Sequence, residues 1–452
     1  MPRHSTTPTL AVLATLLLGA AACTTWQRIG DTPGASPDQS LLQIFNPGPL
    51  YTGMGRLVSS EGVPFIATAA TVPGPGDSAR VLLGISLSNR AFVFERAGES
   101  HVARYRVEYD LTRAGAAPTR IARDGEVRVP SIQETLRNDE TILLQQEVLL
   151  PPGSYELAIR IADRNATNVG RVQRTITVPN YTPGTISAPM LVYDVVGRGS
   201  PSDSLGVVIN TRGSIAYGGD TLLVYVEGYR FNTPTSVPVE VRDETDSLVY
   251  QTRLEFTGSS PIESKIIRLT PTEAPLGRLE VIVGSGPGMQ KVAALVSFSG
   301  NWVVTNFDDL LTLLRFFGED NRVDQMRDAP ADRRLELWRD FFRTTDPNRQ
   351  TPENEALDAY FARISIANQR FTGEGISGWR TDRGEVFVTF GPPDESIDAT
   401  PRQQGRFVQW IYNELRLSLV FQDPSGFGRF RMLPESRADF ERVRNRLIRP
   451  VQ

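Results

Sequence analysis

The chain has 452 residues, 40% of them hydrophobic and 22% charged, with a formal net charge of −4. That length suits about three domains of roughly 100–150 residues, each with a packed core. The charge balance provides no global field that would favour nucleic acid or an anionic membrane. Cys23 is the only cysteine, and His101 is the only histidine apart from His4 near the N-terminus. An intramolecular disulfide, a thiolate zinc site and a two-histidine metal site are therefore excluded, and a Ser-His-Asp triad would have to use His101. His101 follows the turn-like Gly98-Glu99-Ser100 and is expected at a surface or strand edge. No cofactor and no metal are expected. Nucleic acid is set aside as a partner because basic pairs such as Arg333-Arg334 are interleaved with acids.

At the N-terminus, Arg3 and His4 precede the apolar run 10–18, then Gly19 and three alanines lead to Cys23. A positive n-region, a short apolar stretch and small residues before a cleavage point predict a secretory signal peptide over 1–22, too short to span a bilayer. The lone cysteine resembles that of the bacterial lipobox, although Ala20 stands where Leu is commonest. The resemblance implies that Cys23 receives diacylglycerol and becomes the mature N-terminus. Thr24 in place of Asp implies delivery to the outer membrane, on its periplasmic or surface face. Residues 23–59, rich in Pro, Gly, Ser and Thr, read as a flexible tether. Its apolar piece, Leu41-Leu-Gln-Ile-Phe45, is expected to dock on the next domain.

From residue 60 onward the pattern is alternating. Tyr105, Val107 and Tyr109 alternate with Arg106, Glu108 and Asp110, which sets one face inward and one in water. Residues 80–87 and 91–95 are expected to pair about Ser88-Asn-Arg. Pro151-Pro-Gly-Ser-Tyr155 opens a strand whose tyrosine either sits at a sheet corner or simply faces inward. Residues 163–170 form a turn, and 172–178 the closing strand. The same grammar recurs: Pro275-Leu-Gly277 precedes Leu279, Val281 and Val283. Val237, Val239 and Val241 match the Tyr105 strand, and 291–298 match the closing strand. Two tandem Ig-like β-sandwiches are therefore predicted over 60–180 and 187–299. Asp243, Glu244 and Asp246 lack the glycine and further oxygens of a calcium loop and are expected in a solvated hairpin turn.

After Trp302 the period becomes helical. Leu310, Leu311, Leu313, Leu314 and Phe317 form one stripe, ended by Gly318. Leu335, Trp338, Phe341 and Phe342 form a second, with Pro330 near its start. Thr351 is expected to cap a third helix lined by Leu357, Tyr360, Phe361, Ile364, Ala367 and Phe371. Residues 385–390, bracketed by Gly384 and Gly391, read as a strand. With 406–412, 416–422 and 428–433 that strand would make a four-stranded antiparallel sheet. A final helix over 434–448 carries Phe440, Val443 and Leu447 at core spacing. A C-terminal α+β domain is thus predicted over 303–452.

The run Gly378-Trp379-Arg380-Thr381-Asp382, continued by Gly391-Pro392-Pro393-Asp394-Glu395 and preceded by Trp338–Phe342 and Thr351–Glu355, resembles the signature of the GWxTD-domain proteins. The resemblance implies a bacterial envelope protein and implies no particular reaction. Residue by residue, Asp382, Glu385, Asp394 and Glu395 are the acid–base candidates. A six-residue strand would hold Asp382 and Asp394 about 20 Å apart, too far to cooperate. Asp382 is expected to cap backbone amides, Gly384 to take a positive φ, and Trp379 to plug the space between helix and sheet with its indole N–H on a carbonyl. The expected role is non-enzymatic: a lipid-anchored envelope module that binds an envelope protein, with Trp379, Arg380, Asp382, Asp394 and Glu395 as its possible binding surface. An envelope-polysaccharide binder stacking sugars on Trp379, Trp410 and Tyr412 is a second reading. A carboxylate-dependent hydrolase is the third.

Overall fold

The computed structural model describes residues 47–135, 142–300, 302–351, 353–372, 376–398 and 405–448. The expected signal segment over 1–22, Cys23 and the apolar piece 41–45 lie outside them. The described chain is mostly β-sheet, antiparallel in nearly every pairing, with a helix-containing C-terminal region. Among the described residues no helix is long and apolar enough to cross a membrane.

A short helix α1 (Gly48–Gly53) leads into nine strands: β1 (Leu57–Ser59), β2 (Phe65–Pro73), β3 (Ala79–Leu87), β4 (Glu95–Ala97), β5 (Ser100–Thr112), β6 (Thr119–Val129), β7 (Ile142–Leu150), β8 (Gly153–Asp163) and β9 (Val169–Val178). One sheet runs β1-β2-β3-β7. The other has β5 and β8 at its centre, β6 outside β5 and β9 outside β8. Their inner faces share one core, in which Val81, Leu83 and Ile85 of β3 meet Val107, Tyr109, Ile159 and Ile161. The predicted strand over 91–95 is absent: Asn89–Ala91 is a 3-10 turn, and β4 begins only at Glu95, in the opposite sheet from β3. Tyr155 satisfies both readings of its role. It is buried, and its hydroxyl donates to the carbonyl of Pro151 at 2.9 Å.

The second unit contains β10 (Thr185–Ile186), β11 (Met190–Val196), β12 (Gly206–Ile209), β13 (Ser214–Ala216), β14 (Leu222–Tyr229), β15 (Thr235–Asp243), β16 (Leu248–Phe256), β17 (Ile262–Leu269), β18 (Gly277–Val283) and β19 (Gln290–Ser297). The internal repeat extends to topology. β16-β15-β18-β19 reproduces β6-β5-β8-β9, and β11-β14-β17 reproduces β2-β3-β7. Strand β13 adds to β19 in parallel at the end of the repeated sheet.

The two units are not loosely strung. Every residue of β3 is buried, because its outer face packs on the second unit: Val72 and Leu82 meet Met190, Val192, Val207, Ile209 and Tyr225. A strand covered on both faces loses its polar alternation. Beside this contact the Arg198 guanidinium makes a two-pronged ion pair with Glu227 (2.7 and 2.8 Å), fully out of solvent, and also donates to the Pro73 carbonyl. Arg80 reaches across to the carbonyls of Pro201 and Asp203. Arg56 is buried with no carboxylate at its head, donating to the Thr68 hydroxyl and to the carbonyls of Arg212 and Ala293. Burial pushes it down to about 10. Helix α1 covers the outer side of β19 through Tyr51 and Met54.

The C-terminal region comprises α2 (Phe307–Leu313), α3 (Asp320–Asp328), α4 (Ala331–Thr345), α5 (Glu355–Arg370), α6 (Asp382–Phe390), a sheet β20-β21-β22-β23 (Glu395–Asp398, Arg406–Tyr412, Leu417–Asp423, Arg431–Met432) and α7 (Pro434–Ile448). Leu310, Leu311, Leu313 and Leu314 of the first stripe are buried and Phe317 is half-buried, the stripe over 357–371 is buried as expected, and so are Trp338 and Phe341 of the second stripe. The N-cap of α5 is Asn354, not Thr351. Its side chain accepts from Leu357 N, while Thr351 bonds the Glu355 carboxylate. Leu447 is exposed although it stands at core spacing, whereas Phe440 and Val443 of the same helix are buried.

The main correction concerns residues 385–390, which form helix α6 and not a strand. The fourth strand is β20, exposed on both sides and therefore without an alternating pattern. Trp302 and Phe298 join the β part to the helical core. Trp302 stacks on Phe361 at 3.7 Å and donates to Asp358 at 2.9 Å, while Phe298 sits edge-on to Trp338.

Candidate functional site

The signature builds a helix start of unusual closeness. Gly378–Arg380 is one 3-10 turn, packed where a Cβ on Gly378 would stand 2.4 Å from the Ala367 carbonyl at the end of α5. Thr381 follows as the N-cap of α6. Its hydroxyl accepts from Gly384 N at 3.0 Å and donates to Gly378 O at 2.8 Å, wholly buried. Gly384 lies inside the helix with an ordinary φ, which corrects the expected left-handed turn. The need for glycine there is spatial: a Cβ would stand 2.0 Å from Gly378 O and 2.8 Å from the backbone of Trp379. Trp379 is fully buried, as a plug should be, with Phe316 edge-on at 5.7 Å. Its indole N–H has no partner among the described residues, so the expected carbonyl bond is not made.

The carboxylates are consumed in the same construction. Asp382 does not cap α6. One oxygen accepts from Met432 N at 2.7 Å, tying the helix to β23, and the other lies 3.2 Å from the Arg437 guanidinium. Glu385, one helical turn on, meets the same Arg437 at 2.5 Å, with Arg444 at 3.9 Å. The strand-based separation is thus replaced by helical spacing, which joins Asp382 and Glu385 through one arginine of α7. Asp394 lies beyond the other end of α6, about 13 Å of helix away. It accepts from Asn413 N at 2.6 Å and braces the β21–β22 hairpin. Gly391, with φ 86°, ends the helix, and its carbonyl accepts the Tyr412 hydroxyl at 3.0 Å. Arg380, Asp394 and Glu395 are exposed, but Trp379 lies in the core and adds nothing to a surface with them. Trp410 and Tyr412 are buried too, so none of the three aromatics offers a ring face to a sugar.

Outside the signature, Asp243 closes the β15–β16 hairpin by accepting from Thr245 and Ser247 amides, and the Thr245 hydroxyl helps hold it below its ordinary value. His101 stands at the start of β5, half-buried. No group of three or more metal-ligating side chains occurs among the described residues.

A cleft of about 410 Å³ lies where the second β unit meets α4 and α5. Tyr193, Arg212 and Tyr217 line it from one side, and Trp338, Arg339 and Asn354 from the other. Arg212 is held by Ser86 Oγ at 2.8 Å and Gly300 O at 3.0 Å, and Arg339 by Gly218 O at 2.6 Å. Asp220 and Glu353 add negative charge to the rim. The walls are aromatic and cationic, with a tyrosine partly open to solvent. They suit recognition of a polar chain segment. This cleft was not legible in the sequence, because its two walls lie more than a hundred residues apart.

A family model described as the GWxTD domain matches residues 288–425. The match starts just before β19 and runs through the signature to the β22 hairpin. Among curated proteins none matches. Solved structures similar to the chain include the calcium binding domain CBD12 of CALX1.1, at 14% identity over 60% of this chain and 93% of that one, TM-score 0.14. Escherichia coli alpha-2-macroglobulin activated by porcine elastase is 9% identical over 52% of this chain and 23% of that one, TM-score 0.17. A putative secreted protein from Parabacteroides distasonis is 9% identical over 55% and 88%, TM-score 0.13. At such scores the fold rests on its own geometry.

Proposed function

The chain is a GWxTD domain-containing protein, and on that premise we propose that it is a lipid-anchored cell-envelope protein acting as a non-enzymatic binding and structural module. In this reading Cys23 carries the lipid, the protein is exported to the outer membrane, and the two β units are Ig-like sandwiches that hold the GWxTD domain away from the bilayer. The ligand is an envelope protein, seated in the cleft between the second β unit and the helices.

The observation that carries the reading is the state of the signature. Asp382 and Glu385 are ion-paired with Arg437, with Arg431 and Arg444 nearby, Asp394 braces a hairpin, and Trp379 is core. Residues spent on packing leave the cleft between the second β unit and α4, with its fixed arginines and partly exposed tyrosine, as the feature fitted to recognition. The hydrolase reading would require these carboxylates to act in a cleft, and the polysaccharide reading would require the aromatics at the surface.

Chemical cross-linking in intact envelopes, followed by mass spectrometry, tests the proposal. A stoichiometric protein partner is expected, together with loss of membrane association in the Cys23→Ser chain. Recovery of glycan alone, or full loss of function on carboxylate-to-amide substitution in a stable protein, would refute it.

A further inference from the structure

Phe427 is the barest large apolar side chain among the described residues, 85% exposed. It stands in the loop between β22 and β23, and that loop is rigidly built. Asp423, itself fully buried, accepts from the amides of Ser425 (3.2 Å), Gly426 (3.0 Å) and Gly428 (2.7 Å) and from the Ser425 hydroxyl (2.7 Å). The Ser425 oxygen in turn accepts from Phe427 N at 3.3 Å. A buried charge is thus committed to holding an aromatic ring in water, the reverse of what stability alone favours.

The surroundings are cationic. Strand register places Arg406 opposite Asp423 and Arg431 opposite Gln422, at the base of the loop on its two sides. Arg429 is exposed on the returning limb. The acids at this end are already engaged: Asp423 inside the loop, and Asp382 on Met432 N, with Arg431 3.8 Å away. Its neighbours in the loop are Pro424, Ser425, Gly426 and Gly428, so the loop itself supplies no second large apolar side chain beside the ring.

We propose that this loop is a membrane-contact element: Phe427 enters the interfacial layer of an anionic lipid surface while Arg406, Arg429 and Arg431 engage headgroup phosphates. A single ring flanked by cations is the chemistry of reversible interfacial binding, weak alone and useful for orienting a domain already near a bilayer. The contact does not depend on lipidation at Cys23.

The test is co-sedimentation of the full chain carrying Cys23→Ser with phosphatidylglycerol-containing vesicles and with pure phosphatidylcholine vesicles. Binding to the anionic vesicles is expected, lost at high salt. Phe427→Ser should lower it about tenfold, and Arg429→Gln about fivefold, as removal of one surface cation implies. Phe427 is exposed, so its replacement should leave unfolding unchanged. A Phe427→Trp chain should shift its emission to the blue on the anionic vesicles. Absence of vesicle binding, equal binding by wild type and Phe427→Ser, or Phe427-dependent capture of a protein without lipid binding would each overturn the proposal.

Discussion

Replacing Gly384 by Ala is the sharpest probe of what the signature does. In an ordinary helix interior this change stabilises by about 1 kcal/mol. Here the new Cβ would stand 2.0 Å from Gly378 O, where ordinary contact begins near 3.4 Å, so the 3-10 turn must retreat by the difference, 1.4 Å. The obstacle is backbone, fixed by Thr381 and by the packing of Gly378 on α5, and it cannot rotate away as a side chain could. Overpacking of a tight interior costs about 3 kcal/mol, so the net loss should be about 2 kcal/mol. Tryptophan fluorescence in a urea titration reads the right unit, because Trp302, Trp338, Trp379 and Trp410 all lie in the C-terminal core. Gly53→Ala, in α1 with nothing within 4 Å, is the control and should be neutral or slightly stabilising. If Gly384→Ala matched the wild type or exceeded it, the close-approach argument would be wrong.

Four further outcomes are expected. Arg437→Met strands Asp382 and Glu385 and should cost about 1–2 kcal/mol in the same titration, with Glu385→Gln recovering part of it. Arg198→Met leaves Glu227 buried and unpaired and should destabilise the second β unit by about 3–5 kcal/mol, read by calorimetry. Burial would raise Asp423, but the Ser425 hydroxyl and the loop amides outweigh it and hold the carboxyl below its ordinary 3.8. Its folded value being depressed, its contribution is full above that ordinary value and is lost as pH falls through the folded one. Asp423→Asn should therefore flatten the acid limb of the stability profile of the C-terminal region. Tyr155→Phe removes one hydroxyl-to-carbonyl bond and should cost about 1 kcal/mol by thermal unfolding, without change of fold by circular dichroism.

The β part was legible because its physics is local. Period-two alternation and the two Pro-x-Gly entries located β5, β8, β15 and β18, and the repeat they revealed continues in the sheet order. Strand β3 shows the limit: burial on both faces comes from a neighbouring unit that no local pattern announces. Helix α6 departs from the expected strand because the strand propensity of Val386, Phe387, Val388 and Thr389 is overridden by tertiary packing. The correcting signals were present. Thr381 before Asp382 and Glu385, with Gly391 after Phe390, is a cap-and-stop pattern for a helix. Asp382 and Glu385 could be singled out from sequence, but Arg437, about fifty residues on, could not be assigned to them. The cleft residues Tyr193, Arg212 and Arg339 meet only through the docking of the second β unit on α4.

The most direct measurement is site-specific photo-cross-linking in intact envelopes from a photoreactive residue in place of Tyr193, at the cleft mouth. A discrete protein adduct is expected, and it should persist in the Asp394→Asn, Glu395→Gln chain. Absence of any protein adduct, or loss of the adduct in the amide variants while the domain remains folded, would contradict the protein-binding role of the cleft.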